Sequence, residues 1–490
     1  MNQMSSENWG FLTDLEVIFV AIGFFYLTRA YLWNLRTPPG PKRIPIIGNL
    51  LDMPKEKECL KFTEWAHKYG NIVYLKIFRQ HYFILSNYED VFELLHKRSR
   101  HYSDRPVFPM SGELMGWDVA ISLRNYDDSL RSMRRLAHQT FNPELWPLEE
   151  NEIAKLPKLL LKTPADFEAH IRRTVSSVVL KATYGYSIPD GEEGNDDLMV
   201  KLPERGLHEF SIAQAPGAFL VDLIPLLKYV PPWFPGAGFR RKAMEWKLHL
   251  QEMMDTPFEF TKSQMNSGDA PPSLVSIHYP KAKSPEEIAI LKHTAGSICY
   301  SSGGTDTTSA AIITFFAAMT LYPEVQRKAQ EELDSLIGLE RLPCVADRPS
   351  LPYVEAVLKE VLRWVPVVPI GVPHRASQHD IYKGYDIPKG SIIFSNIWAM
   401  TRDKKYFPDP DVFRPGRFLS GELPESRVVD PLQTVFGFGR RSCPGQRVAE
   451  PSLFLAITMV LLTFNITKAK DPNTGEDITP VIETTPGLVM

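Results

Sequence analysis

The stretch VFGFGRRSCPGQRVAE, residues 435–450, places one cysteine, Cys443, in a loop rich in glycine and arginine. The pattern after this loop predicts a helix, whose positive end would face the cysteine. Freed backbone N–H groups of the glycines, together with Arg440 and Arg441, would add further positive potential. We expect this environment to lower the pKa of the Cys443 thiol. A stabilised thiolate suits a nucleophile, a redox sensor or a metal ligand, and the loop chemistry alone leaves all three open.

A second unusual stretch, GGTDTT at residues 303–308, lies at the centre of a long segment that otherwise predicts an apolar helix. Two adjacent glycines weaken a helix interior by about 1 kcal/mol each relative to alanine. A threonine hydroxyl at this point can compete for backbone hydrogen bonds and loosen the helix. The stretch therefore indicates either a functional site built into the helix or a polar kink between packed helices.

The spacing of Phe436, Gly439, Arg441, Cys443 and Gly445 matches the pattern F-x-x-G-x-R-x-C-x-G at every position. In this the chain resembles the cytochrome P450 family of haem-thiolate monooxygenases, and membrane-bound fungal members in particular. The resemblance implies haem b as cofactor, Cys443 as the axial ligand of its iron, and Gly445 in the cofactor-binding loop. It also implies that Phe436 shields the sulfur and that Arg441 binds a haem propionate. A structural free cysteine is the alternative.

Two further arginines match propionate-binding positions of the family. Arg375 lies in VPHRASQHD, and Arg134 occupies the arginine position of a helical W-x-x-x-R pattern. Leu130 stands where the family carries the tryptophan, so one indole donor to the haem edge is missing and the pattern around Arg134 is incomplete. We expect the neighbouring His138 to be an ordinary helix residue.

By the same resemblance, GGTDTT belongs to the helix that crosses the oxygen-binding face of the haem. Gly303 and Gly304 would let the backbone approach the haem closely and count as cofactor-binding residues. Asp306 and Thr307 would form an alcohol–acid pair that relays protons during oxygen activation. These two are the catalytic residues that the resemblance implies.

A helix pair and a later arginine complete the family pattern. Glu360 and Arg363, in KEVLRW, are three residues apart on one face of a predicted helix and can pair. Surface helices carry many such pairs, so the spacing alone has little weight. The resemblance implies that this pair is buried and is joined by Arg417, from FRPGRF, as a structural triad.

The remaining sequence predicts a mainly α-helical protein with a smaller β-region, consistent with the cytochrome P450 fold and one large catalytic domain over residues 50–490. Ile72–Phe78 and His81–Ser86 predict paired strands, and Ser86 with Glu89 predicts a capping box for the next helix. Val448–Leu462 predicts a late apolar helix. Four cysteines without C-x-x-C spacing exclude a cysteine zinc site and a disulfide scaffold, and a net charge of −3 does not indicate a nucleic-acid surface.

Residues 1–36 predict an N-terminal membrane anchor, followed by a proline-rich hinge at 37–49. The uncharged run VIFVAIGFFYLT, residues 17–28, has acidic residues before it and basic residues after it. Because basic flanks stay cytosolic, we expect a single-pass endoplasmic reticulum protein with a cytosolic catalytic domain. The sequon at Asn465 would then stay unmodified. A buried helix of the globular part is the alternative for the anchor.

The proline-rich segment 215–239 is unusually apolar, and we expect it either to dip into the bilayer or to be buried in the core. By family position, the substrate-facing segments are Phe108–Trp117, Ser297–Gly303, Val367–Gly371 and Thr485–Leu488. They carry aliphatic, methionine and aromatic side chains, which suit a small lipophilic substrate. The chain stops at Met490, where relatives usually continue through a final strand pair, so we expect an altered pocket at that end.

These observations predict a monooxygenase that hydroxylates a C–H bond of a small lipophilic substrate in fungal secondary metabolism, a terpenoid being one candidate. Electrons would come from NADPH through the NADPH–cytochrome P450 reductase, with cytochrome b5 as a second possible donor. The alternatives are a haem-thiolate isomerase or dehydratase that needs no reductase, and a non-catalytic membrane-anchored relative. Asp306 and Thr307 argue against the isomerase, because its chemistry needs no proton relay.

Overall fold

The computed structural model describes residues 35–189, 197–215, 217–301, 304–338, 340–421 and 429–482. Alpha-helices dominate, as predicted. In chain order they are α1 (Glu58–Tyr69), α2 (Tyr88–Val91), α3 (Asp128–Thr140), α4 (Trp146–Ile153), α5 (Lys155–Lys162), α6 (Phe167–Tyr184), α7 (Leu198–Gln214), α8 (Leu220–Leu223), α9 (Gly238–Ser267), α10 (Leu274–His278), α11 (Pro285–Gly296), α12 (Gly304–Leu321), α13 (Pro323–Leu336), α14 (Pro352–Trp364), α15 (Ile397–Met400), α16 (Leu432–Val435) and α17 (Gln446–Thr463). Most of the predicted anchor, residues 1–34, lies outside the described part.

The β-region consists of short strands, namely β1 (Ile72–Ile77), β2 (Gln80–Leu85), β3 (His374–Arg375), β4 (Asp380–Tyr382), β5 (Tyr385–Ile387), β6 (Ile392–Ser395), β7 (Ala469–Lys470) and β8 (Asp477–Ile478). The largest sheet has the order β1-β2-β6-β3. The first two strands pair antiparallel, which confirms the predicted hairpin to within a residue at each end. The β2–β6 pair is parallel and joins an early part of the chain to a late part.

The predicted capping box before α2 is wrong. The helix begins one residue later than expected, with Asn87 as the residue before it and no side-chain cap. Ser86 is buried and its hydroxyl makes no hydrogen bond within the described residues. Glu89 turns outward instead, where it pairs with Lys405 and accepts a bond from the Tyr406 hydroxyl. A tertiary ion pair has therefore replaced the local cap.

The late apolar helix forms as predicted, and α17 is buried along almost its whole length. It packs against α12, α14 and α4, so the helix that follows the cysteine loop stands at the centre of the largest apolar cluster. Among the described residues no single helix has the length and low charge needed to cross a membrane. Only the sharply bent pair Pro285–Leu321 and Pro323–Leu336 meets those criteria together.

The helix hydrogen-bond pattern changes where the sequence places its polar turn. Helix α11 runs directly into a π-helical turn, Ser297–Ser301, and α12 begins at Gly304. A π-turn inside a helix is rare and frequently occurs at functional sites. Gly303 and residue 302 lie outside the described part. A local change in helix geometry is thus present immediately before Asp306 and Thr307.

Candidate active site

The cysteine loop is folded by backbone hydrogen bonds across it. Cys443 N donates to the Phe436 carbonyl at 2.7 Å, which closes the loop just before α17. The backbone N–H groups of Gly445 and Gln446 point to the Cys443 sulfur. A Cβ at Gly445 would lie 3.6 Å from that sulfur, so the glycine leaves the sulfur in close contact with the backbone. The sulfur therefore has two donors supplied by the start of a helix, as the sequence predicts.

Gly439 is required by the fold of this loop. Its backbone has φ +56°, and an added Cβ would lie 2.4 Å from the Leu95 carbonyl oxygen and 2.9 Å from Ser99 Cβ. Any side chain would therefore collide with the π-helical segment Phe92–Lys97 and the turn after it. The loop can rest against this segment only because position 439 lacks a side chain.

The expectation that the loop lowers the pKa of Cys443 is wrong for the protein without a bound cofactor. Burial raises the pKa of the Cys443 thiol and outweighs the N–H groups and the nearby Arg134 charge, which lower it. The residue is nevertheless exposed. The loop alone therefore does not favour the thiolate of this exposed cysteine, and a bound metal ion would have to supply that stabilisation.

The nearest cation to the sulfur is also not one that the loop supplies. Arg134, on α3, is the charge that acts on Cys443, and its guanidinium approaches Ser442 Oγ at 3.5 Å. Arg440 is exposed. Arg441 is buried and donates to the backbone carbonyls of three residues that lie far earlier in the chain, Ser103, Ile121 and Arg124.

Two residues that the sequence analysis did not select, Arg105 and His374, lie close to Arg441. Arg105 is buried and donates to the carbonyls of Ser122, Val372 and Pro373. His374 is buried, and its Nδ1 lies 2.6 Å from the Tyr102 carbonyl. Burial and the nearby charges of Arg105 and Arg441 hold the pKa of His374 well below its ordinary value.

Arg375, the residue selected from the sequence, lies on the other side of strand β3 from His374, because neighbouring strand residues face opposite ways. Its backbone N–H donates to the Asp104 carbonyl at 2.8 Å. Its guanidinium lies beside Gly390. His374, not Arg375, is therefore the residue of this pair that lies beside Arg105 and Arg441. A propionate contact for Arg375 stays a prediction.

The arginine group suits a dianionic ligand. Within the described residues, neither Arg105, Arg134 nor Arg441 forms an ion pair with a carboxylate, although burial lowers the pKa of each. Buried charges are normally paired. Three guanidiniums that form no ion pair with a carboxylate among the described residues, beside a neutral imidazole and near the exposed Cys443, thus fit a cofactor that carries two carboxylates and a metal. Haem b has this combination.

The polar turn of α12 lies among apolar residues. Asp306 and Thr307 are half-buried. Thr305, beside them, accepts a hydrogen bond from Ser176 on α6 at 3.3 Å. The preceding π-turn buries Ile298, Cys299 and Tyr300 in the largest apolar cluster. Nothing is described for the side-chain region of Gly304.

The predicted substrate-facing segments lie partly in this same cluster. Met110, Met115 and Trp117 are buried in it, and Val367 packs against it. The backbone N–H of Ile121, four residues after the first segment ends, donates to Ser297 Oγ at 3.1 Å and links this part of the chain to the π-turn. Residues 483–490, including the predicted contact at Thr485–Leu488, lie outside the described part.

The predicted triad is confirmed. Glu360 receives two hydrogen bonds from Arg363, at 2.7 and 2.8 Å, and one from Arg417 at 3.1 Å. All three side chains are fully buried. Arg363 also donates to the Thr401 carbonyl and Arg417 to the Pro408 carbonyl. The triad therefore joins α14 to the segment that precedes the cysteine loop.

A mainly helical fold, an exposed cysteine that faces helix N–H groups, and adjacent arginines without a carboxylate partner among the described residues suit a haem-thiolate protein. Comparison with known proteins agrees, since a model of the cytochrome P450 family matches residues 38–488. The chain belongs to the cytochrome P450 family, whose members bind haem through an iron–thiolate bond, and it is a monooxygenase of that family.

Curated relatives cover nearly the whole chain. It is 42% identical to cytochrome P450 monooxygenase 208 of Postia placenta, over 97% of this chain and 92% of that protein. It is 41% identical to cytochrome P450 monooxygenase ple1 of Rhodocybe pseudopiperita, over 98% and 92%. Cytochrome P450 monooxygenase claR of Ampulloclitocybe clavipes is 40% identical, over 96% and 88%. The predicted resemblance to fungal members is thereby confirmed.

Proposed function

We propose that this monooxygenase inserts one oxygen atom into a C–H bond of a small lipophilic substrate, with Cys443 as the axial haem ligand. The observation that carries the proposal is the exposed Cys443, whose sulfur faces the N–H groups of Gly445 and Gln446 beside arginines that have no carboxylate partner in the described part of the chain. Bound haem supplies the oxygen-activating chemistry. The residues of the chain bind and orient the haem and substrate and deliver protons.

Each group of residues has a separate task in this proposal. Arg105, Arg134 and Arg441 hold the two haem carboxylates, because fixed guanidiniums suit carboxylate geometry. Asp306 and Thr307 move protons from solvent toward the oxygen-binding face. The surrounding apolar side chains exclude bulk water, so that protons enter at this polar turn.

The substrate class is supported by the apolar residues of the predicted substrate-facing segments. Met110, Met115, Trp117 and Ile298 carry no fixed charge and lie in one apolar cluster. A small lipophilic molecule suits such surroundings. The relatives are fungal, which supports a place in secondary metabolite biosynthesis, with a terpenoid as one candidate.

The direct test is turnover with purified NADPH–cytochrome P450 reductase and a panel of lipophilic substrates. We expect consumption of NADPH and oxygen in step with a product that gains one oxygen atom. Cytochrome b5 is a second donor to be compared in the same assay. Product formation without NADPH or oxygen would instead identify the haem-thiolate isomerase or dehydratase.

The reductase is proposed to dock near the cysteine loop, where Arg440 is exposed. Arg440→Glu should slow reductase-driven turnover by several fold, because it reverses a charge in an electrostatically steered encounter. Turnover driven by peroxide should change little. Arg327→Glu, at an exposed position on α13, is the matched charge reversal. Equal losses in the reductase and peroxide assays would contradict this docking site.

The protein is proposed to sit on the cytosolic face of the endoplasmic reticulum, held by residues 1–36. The apolar segment 215–239 supports attachment to a membrane. Much of it is not buried in the core, since Leu226 is 76% and Trp233 is 79% exposed. A surface of this kind marks an interaction site, and a bilayer suits it. Asn465 is exposed and belongs to a glycosylation sequon. If the domain is cytosolic, Asn465 stays unglycosylated, so endoglycosidase treatment of protein expressed in yeast should not change its mass. A mass shift would contradict the cytosolic location.

A further inference from the structure

The ring of Tyr126 lies close to three arginines, two from the cysteine loop and one from α3. The guanidinium carbon of Arg440 lies 5.2 Å from the ring centroid, that of Arg131 5.8 Å and that of Arg441 6.0 Å. Cations at such distances from an aromatic face are attracted by its quadrupole. One side chain thus touches the exposed Arg440 and the buried Arg441 together.

The backbone holds this ring in place. Tyr126 N donates to Asp104 Oδ1 at 3.1 Å. The carbonyl of Arg124, two residues earlier, accepts from the Arg441 guanidinium. The ring itself packs against a small buried cluster of Ile121, Leu130 and Met133. The backbone bond to Asp104 and the packing on this cluster therefore hold Tyr126 in place beside the arginines.

The residue at the family's tryptophan position, Leu130, supplies no aromatic ring and no side-chain hydrogen-bond donor in this chain. Leu130 stands where the family pattern has tryptophan, one helical turn before Arg134. It is fully buried and makes no polar side-chain contact, because leucine has no donor. The aromatic side chain that reaches the arginines comes instead from Tyr126, four residues earlier, and it rests on Leu130.

We infer that Tyr126 is a positioning residue whose ring holds Arg441 in its orientation at the haem-carboxylate site and links it to Arg440. The inference rests on the proposed function, because it takes the arginines as the haem-carboxylate site. A ring alone suffices for this role, since the attraction comes from its face. The hydroxyl is dispensable.

The test compares Tyr126→Leu, which removes the ring, with Tyr126→Phe, which keeps it. In the full-length holoenzyme we expect Tyr126→Leu to lose haem to apomyoglobin about five to tenfold faster than wild type, since Arg441 is less well held. Tyr126→Phe should stay within about twofold of wild type. The midpoint potential should become more negative in Tyr126→Leu and stay unchanged in Tyr126→Phe, because less positive potential would then face the haem carboxylates.

Three outcomes would overturn the inference. Haem loss from Tyr126→Leu at the wild-type rate would remove the role of the ring. Equal acceleration in Tyr126→Phe would assign the effect to the hydroxyl. A midpoint potential of Tyr126→Leu equal to that of wild type would show that the ring does not act on the haem-carboxylate site. Tyr126→Met serves as the ring-free variant if Tyr126→Leu does not fold by circular dichroism.

Failure of the inference is distinguishable from failure of the proposed function. Cys443→Ser should abolish the thiolate signature of the reduced carbon monoxide complex in any background. If that signature survives in Cys443→Ser, the proposed function fails. If it is lost there, but Tyr126→Leu keeps both haem and potential, only the role of Tyr126 fails.

Discussion

Glu360 Oε1 accepts a hydrogen bond from Arg417 Nε at 3.1 Å, across 57 residues of chain, while Arg363 holds the same carboxylate from one helical turn away. All three side chains are fully buried. One carboxylate thus faces two guanidiniums, and the excess positive charge is met by backbone carbonyls such as those of Thr401 and Pro408. The segment that leads to the cysteine loop is fixed to α14 by this triad.

We predict that Glu360→Gln destabilises the protein strongly. Removing one partner of a buried ion pair typically costs about 3–5 kcal/mol, because the remaining charge stays buried. The apparent Tm should fall by about 5–10 °C in differential scanning fluorimetry. Glu331→Gln, on an exposed pair with Arg327, is the control and should change Tm little. Equal small effects of both changes would contradict the role of the triad.

Gly439→Ala tests the close packing of the cysteine loop. The added Cβ would meet the Leu95 carbonyl at 2.4 Å, so the loop must move and haem retention should fall several fold. Gly475→Ala is the matched control, since Gly475 also has a positive φ but nothing within 4 Å of an added Cβ. Haem content per protein measures the effect. Equal haem content in the two variants would refute the packing argument.

Glu149 predicts a pH dependence of stability. Its carboxyl is buried, receives one bond from Ser452 at 3.1 Å and leaves its second oxygen unpaired within the described residues. Burial raises its pKa to about 8. Because the folded-state pKa lies above the unfolded value, the folded state binds the extra proton, and stability falls as pH rises toward 8.

The Glu149→Gln variant keeps a neutral group at this position and should lose that dependence. Between pH 6 and 8 the Tm of wild type should fall relative to the variant, and the difference should level off above about pH 8. Glu144→Gln, an exposed carboxylate five residues earlier on the chain, should track wild type at every pH. A wild-type curve parallel to that of Glu149→Gln would show that Glu149 does not titrate there.

The proton relay is tested by Thr307→Ala and Asp306→Asn. We expect the product formed per oxygen consumed to fall about tenfold or more, because general acid–base groups contribute about 10²–10⁴-fold to the steps they serve. Hydrogen peroxide should appear instead of product. Thr314→Ala is the control on the same helix, where the hydroxyl donates to the Ala310 carbonyl at 2.8 Å. Unchanged coupling in both test variants would exclude the relay.

The sequence predicts features that are formed by residues close together in the chain. The cysteine loop has a five-position pattern, the β1–β2 hairpin consists of two adjacent runs rich in β-branched and aromatic residues, and Glu360 and Arg363 have helical spacing. Each of these is confirmed as a fold feature because its geometry depends on neighbouring residues. The start of α2 is also local, but a tertiary ion pair of Glu89 with Lys405 overrides it.

Features that depend on distant segments could not be predicted. Arg105 joins the arginine group through carbonyls of Ser122 and Val372, which lie in other parts of the chain. Choosing between His374 and Arg375 requires knowing which face of a two-residue strand points inward. The pKa of Cys443 depends on burial, which the loop sequence does not reveal.

The central claim is that the Cys443 sulfur binds the haem iron, and the spectrum of the reduced carbon monoxide complex tests it most directly. We expect wild type to show the long-wavelength Soret band of thiolate ligation. Cys344→Ser, at a half-buried free cysteine, should keep that band. Cys443→Ser should lose it together with reductase-driven turnover. A Cys443→Ser protein that retains both the band and turnover would contradict the account.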